Sequence, residues 1–165
     1  MQLSPESAIK SHEELARSLF RLGYFDEVVQ TTEHAMELGS KTSLLRARRA
    51  WALARLGRAT EAMREGDLAL SQDQAFPRSD EDQIRVLCAL GQIEEALAAL
   101  DGCLAHDSSD LEARGVRALL LEAAGRHIEA RAELERVITG CSHQEGEQSD
   151  ALRKFAQIGL ETEAA

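Results

Sequence analysis

The chain has 165 residues, and 29 Asp and Glu residues against 19 Lys and Arg residues give it a formal net charge of −10. This excess of negative charge argues against binding to nucleic acid or to an anionic membrane, because phosphate binding depends on an excess of Lys and Arg. With 44% hydrophobic residues, 2 prolines and 4% aromatics, the composition excludes a disordered chain, disfavours a β-sandwich or barrel and favours helices.

The cysteines and the first residues bear on where the protein works. Cys88, Cys103 and Cys141 are too few and too scattered for a disulfide framework, so we expect reduced thiols in a reducing compartment. The residues after Met1 show no basic segment followed by an apolar one, and no apolar run approaches the roughly 20 residues of a membrane span. We therefore expect a soluble, cytoplasmic protein.

A strict internal repeat dominates the sequence. Five glycines each lie 34 residues after the one before, with no insertion or deletion: Gly23, Gly57, Gly91, Gly125 and Gly159. Other columns keep the same register, with Leu four residues before the first four glycines and Glu four residues after them. Because glycine adopts positive φ at little cost, the pattern predicts a helix, a glycine at its C-terminal end and a second helix in each unit.

The ends of the predicted helices carry their own signals. Ser4 before Pro5 predicts the N-cap of the first helix. Ser109 and Glu112 predict a capping box at the start of the fourth unit. A last helix over 150–160 is predicted to turn Ala151, Leu152, Phe155 and Ile158 inward and Arg153, Lys154 and Gln157 outward.

A period of 34 residues with helix-turn-helix units and these glycine and alanine columns resembles the tetratricopeptide repeat (TPR) family. The resemblance covers nearly the whole chain, with units at approximately 9–42, 43–76, 77–110 and 111–144 and a capping helix at approximately 145–160. It implies an all-α fold, a right-handed α-solenoid whose first helices line a concave face. It also implies a non-enzymatic protein-interaction module.

The chain departs from the family pattern at several positions. The Trp that the family favours at the fourth position of each unit is replaced by His12, Arg46, Asp80 and Arg114. Heat-shock co-chaperones of the family bind acidic peptide ends through a clamp of Lys and Asn, and Glu13 and Asp82 reverse the charge at matching positions. The chaperone-tail function is therefore disfavoured, whereas an acidic ligand of another kind is not.

The first helices of the units place arginines on the expected concave face. Between Leu38 and Thr60 there is no acidic residue, and the one Trp of the chain, Trp51, lies in this cationic block. Trp and Arg are common at binding hot spots, and the Arg guanidinium matches carboxylates in two-point contacts. The predicted ligand-binding groove consists of Arg17, Arg21, Arg48, Trp51, Arg55 and Arg85.

A second interpretation of the same residues needs no ligand. The stems of Arg46 and Arg49 cover apolar neighbours in this interpretation, Arg85 stacks on Trp51, and arginines pair with the acidic second helices of adjacent repeats. The sequence leaves these two interpretations open. Cys141 and His143 form one short pair, which is too few ligands for a tetrahedral metal site, so neither a metal nor a cofactor is expected.

No catalytic motif is recognisable, so the leading hypothesis is a cytoplasmic adaptor that binds a peptide or protein segment in the concave groove, with an acidic segment as a candidate ligand. Two alternatives stay open: a secretion-type chaperone for an unfolded client, and a structural subunit that self-associates through its terminal helix. A co-purified unfolded client would favour the first alternative, and a large oligomer would favour the second.

Overall fold

The computed structural model describes residues 4–70, 84, 91–144 and 146–161. Within them the chain is helical and contains no strand. The described helices are Pro5–Leu22 (α1), Phe25–Glu37 (α2), Ser43–Arg55 (α3), Ala59–Leu70 (α4), Ile93–His106 (α5), Leu111–Ala123 (α6), His127–Cys141 (α7) and Glu147–Leu160 (α8). The predicted unit of two helices joined at a glycine is thus observed for α1 with α2, α3 with α4, and α6 with α7.

The turn glycines confirm the repeat at four of its five positions. Gly23, Gly57, Gly91 and Gly125 have φ values of 82°, 74°, 74° and 76°, in the left-handed region. The fifth glycine, Gly159, has no positive φ and lies inside α8, within the last helix that was predicted over 150–160. The packing described below shows why a residue without a Cβ atom is needed there.

The helix caps follow one prediction and contradict another. Ser4 caps α1, because its Oγ accepts a hydrogen bond from the Ser7 amide at 3.2 Å. The predicted capping box at Ser109 is wrong: Asp110 is the N-cap of α6 and accepts from the Ala113 amide at 3.0 Å. The Ser109 hydroxyl donates instead to Asp107 at 2.6 Å, so the carboxylate next to the helix has taken the capping position.

Helix α3 is the centre of the packing, since it contacts α1, α2, α4, α6 and α8. The second and fourth units therefore meet directly, through α3 and α4 against α6. Small residues allow this approach: a Cβ atom at Gly66 would lie 3.1 Å from Cδ2 of Leu119. The main core joins α3 to the C-terminal helices and includes Trp51, Leu53, Leu119 and Phe155.

The terminal helix α8 packs against helices of the second and the fourth unit. It lies against α6 and α7, and also against α3 and α4. The predicted inward stripe is confirmed at Leu152, Phe155 and Ile158, which are buried, whereas Ala151 is half-buried. In the described part of the chain, no helix is both long enough and apolar enough to cross a membrane.

Candidate functional site

Trp51 lies beneath α8. Its side chain is 1% exposed, its indole ring is 5.0 Å from that of Phe155 between centroids, and its Nε1–H donates to the Phe155 carbonyl oxygen at 2.9 Å. A buried indole N–H needs a hydrogen-bond acceptor, and the Phe155 carbonyl of α8 provides one for the only polar atom of the ring. The face of α3 that holds Trp51 is thus covered by the chain's own helix.

Gly159 makes this contact possible. A Cβ atom there would lie 2.8 Å from Cε2 and Cζ2 of Trp51 and 2.8 Å from Cδ1 of Leu134. Real Cβ atoms do not approach other heavy atoms so closely, and an indole ring buried in a packed core has little room to move. The absence of a side chain at Gly159 therefore sets how near α8 comes to α3.

The covering helix is firmly anchored. Leu152, Phe155, Ala156 and Ile158 of α8 are all buried. Burial of a Leu, Ile or Phe side chain stabilises by about 1.5–3 kcal/mol, so removing α8 from its place would cost several kcal/mol. A partner that binds on this side of the molecule therefore contacts α8 before it can contact Trp51. The role of Trp51 as a ligand anchor stays a prediction.

Two arginines of the cationic block pair with a buried carboxylate of their own unit, and Arg49 also contacts the first unit. Arg46 Nη1 donates to Glu65 at 3.0 Å, while Arg49 Nη1 donates to the Val29 carbonyl at 2.7 Å and its Nε lies 3.8 Å from Glu65. Glu65 is buried, so these contacts supply the partners that a buried carboxylate needs.

The fourth unit has the same arrangement of two arginines and a carboxylate, two repeat periods later. Arg114 lies 3.0 Å and Arg117 3.4 Å from the buried carboxylate of Glu133, in the columns of Arg46, Arg49 and Glu65. The arginine at the fourth position of each of these two units thus packs against a carboxylate of the second helix. These arginines are structural.

Arg55 contacts residues of two other units. Its Nη1 donates to Glu122 at 2.6 Å, and its guanidinium carbon lies 5.1 Å from the centre of the Phe25 ring. His127 Nδ1 lies 2.7 Å from the same Glu122 oxygen. This group joins the first, second and fourth units, and it leaves Arg55 engaged with residues of the chain itself.

Arg48 is buried but poorly paired. It is 8% exposed, its Nη2 lies 3.7 Å from Glu161 Oε2, and its Nε–H has no hydrogen-bond acceptor among the described residues. Burial lowers the pKa of Arg48, and the positive charge of Arg17 adds to that shift, whereas the carboxylates of Glu161 and Glu13 oppose it. Arg48, Arg17 and the end of α8 therefore share one electrostatic site.

Arg17 and Arg21 lie on α1 and are exposed. They are four residues apart, so they share one face of the helix. Neither has an ion pair with any residue that the structure describes. We call Arg17, Arg21 and Arg48 the cationic face. Arg85, the sixth residue of the predicted groove, lies outside the described residues.

The second interpretation of the sequence paired arginines with acidic second helices of adjacent repeats, whereas Glu65 and Glu133 pair with arginines of their own units. It named neither these carboxylates nor Glu122, and Glu161 follows the last apolar stripe with no repeat column to mark it. A search for arginines with a carboxylate 19 residues later would have found the pairs to Glu65 and Glu133. Nothing in the sequence pattern placed Glu161 beside Arg48.

The described residues contain no group of three His, Cys, Asp or Glu side chains placed to hold a metal ion. Cys141 is buried, and burial raises the pKa of its thiol.

Comparison with known proteins gives little beyond this geometry. No protein-family model and no curated protein matches the chain. A solved structure described as "MamA RS-1 ArsTM double mutant" is similar over 93% of this chain and 94% of its own, at 16% identity and a TM-score of 0.43. At so low a TM-score, the arrangement of the helices has to be described from the contacts of this chain alone.

Proposed function

We propose that the protein is a non-enzymatic, cytoplasmic interaction module of TPR type, with four units at about 9–42, 43–76, 77–110 and 111–144, that binds an acidic peptide or protein segment on the cationic face. The observation that carries the proposal is that Arg17 and Arg21 are exposed and have no ion pair among the described residues. In a chain with a net charge of −10, these two arginines, with the charge of Arg17 acting on the buried Arg48, favour a ligand with carboxylates.

The remaining residues of the predicted groove have supporting roles in this proposal. Trp51 and Arg55 hold α8 and the fourth unit against α3, which shapes the surface beside Arg48. Arg85 lies outside the described residues, and the sequence pattern predicts it on the same stripe of first helices. The partner therefore contacts α1 and the place beside Arg48 where α8 ends.

The electrostatic character of this surface predicts its behaviour. Contacts between exposed charges are screened over about 8 Å at physiological ionic strength. Binding should weaken as salt rises, and reversing an exposed charge should slow association more than it speeds dissociation.

The test is affinity capture from native lysate with the wild type and with Arg17→Glu, Arg21→Glu. A control that changes the charge equally, Arg64→Glu with Arg131→Glu, uses exposed arginines on α4 and α7. We expect a partner that the wild type and the control retain at low salt, and that the α1 variant loses.

A partner retained equally by all three proteins would place the interaction elsewhere and contradict the proposal. Capture of unfolded clients with no preference for acidic segments would favour the chaperone alternative. A large oligomer in light scattering that the α1 substitutions leave intact would favour the self-associating subunit.

A further inference from the structure

The residue after α8, Glu161, places a carboxylate near Arg48 without forming a hydrogen bond to it. Glu161 Oε2 lies 3.7 Å from Arg48 Nη2, and neither that oxygen nor Arg48 Nε has a hydrogen-bond partner among the described residues. Well-formed contacts between arginine and carboxylate have N–O distances of about 2.7–2.9 Å and often use two N–H groups. Arg48 is only 8% exposed, so solvent does not supply the missing hydrogen bonds of its guanidinium group.

The fold explains why Glu161 stops short. It directly follows Leu160, the last residue of α8, and α8 is fixed by buried side chains and by the close approach of Gly159 to Trp51. The position of the helix end, rather than the preference of the carboxylate, sets the distance to Arg48. A carboxylate on a separate chain is free of that restraint.

We infer that Glu161 is a built-in competitor, which occupies the place at Arg48 that a carboxylate of an acidic partner segment takes when it binds. This inference rests on the proposed function and adds its regulation. The partner displaces the side chain of Glu161 while the body of α8 stays docked. Arg17, exposed and close enough for its charge to act on Arg48, completes the contact to the incoming carboxylate.

Glu161 resembles a tethered ligand. A group held beside its site by a short connection acts at an effective concentration in the millimolar range, so it lowers the apparent affinity of a free competitor. Replacing Glu161 by an amide of the same shape should therefore strengthen the binding of acidic segments.

The probe is a fluorescent hexaglutamate peptide with blocked ends, and hexaglutamine serves as its uncharged counterpart. Fluorescence anisotropy at low ionic strength would measure its Kd for the full-length wild type, Glu161→Gln and Glu147→Gln. Glu147 is exposed at the other end of α8, so its substitution makes the same change in net charge away from Arg48. Circular dichroism would show that each variant is folded.

We expect Glu161→Gln to lower the Kd for hexaglutamate at least about threefold relative to Glu147→Gln, with hexaglutamine unaffected. Adding Arg48→Lys to Glu161→Gln should remove the gain, because Lys cannot form the two-point contact. Equal Kd values for the two glutamine variants would overturn the inference. The proposed function would then still stand if Arg17→Glu, Arg21→Glu weakens hexaglutamate binding, whereas no binding by any variant would overturn both.

Discussion

Gly159 and Gly102 are both helical glycines, and the structure predicts opposite effects for the same substitution. A Cβ atom at Gly159 would lie 2.8 Å from the Trp51 ring, whereas a Cβ atom at Gly102, which is exposed on α5, meets nothing within 4 Å. In a helix interior, Ala stabilises relative to Gly by about 0.5–1 kcal/mol. Gly102→Ala should gain that amount.

Gly159→Ala has the same helix gain but must also force an extra methyl group into a packed contact, at a cost of about 1–3 kcal/mol. The propensity terms cancel between the two variants. Gly159→Ala should thus be about 1–3 kcal/mol less stable than Gly102→Ala, which corresponds to a separation of roughly 2–12 °C in Tm for a domain of this size.

Urea unfolding followed by circular dichroism would measure both free energies of unfolding. Gly159→Ala should also change the fluorescence of Trp51, because the added methyl group meets that ring, whereas Gly102→Ala should leave the spectrum unchanged. If Gly159→Ala is as stable as Gly102→Ala and its emission is that of the wild type, α8 does not pack against Trp51 as described.

Three further predictions follow from burial. Trp51 emission should be blue-shifted in the free protein and resistant to quenching by acrylamide, as expected for a ring that is 1% exposed. A thiol reagent, with labelled sites identified by mass spectrometry, should modify half-buried Cys103 well before Cys141, because Cys141 is buried and its thiol pKa is raised. In urea unfolding, Glu133→Gln should lower the free energy of unfolding by about 2–4 kcal/mol, since it removes the charge of a buried carboxylate that pairs with Arg114 and Arg117. Glu135→Gln, on the exposed side of α7, should lower it by less than about 1 kcal/mol.

The repeat could be predicted from the sequence because it depends on local chemistry. A glycine with positive φ is needed wherever two helices join tightly, so Gly23 and its equivalents mark the turns. The inward stripe of α8 was likewise visible as helical periodicity. Gly159 broke the rule because close packing and positive φ both select glycine, and spacing alone does not distinguish these two requirements.

The candidate site was less predictable because its parts are brought together over long separations. The groove prediction treated α3 as a surface, but Trp51 meets Phe155, which is 104 residues away, and Arg55 meets Glu122, which is 67 residues away. Such contacts depend on how the second and fourth units approach each other. The register of a single unit carries no information about that approach, so the pairing of Arg48 with Glu161 emerges only from the folded chain.

The most direct test of the proposed surface is a titration of uniformly ¹⁵N-labelled protein with hexaglutamate, followed by two-dimensional NMR. The account predicts that the shifted signals concentrate on α1 around Arg17 and Arg21, on α3 around Arg48, and at the end of α8 around Glu161. Shifts concentrated on α4 or α7 would contradict it, as would an unchanged spectrum.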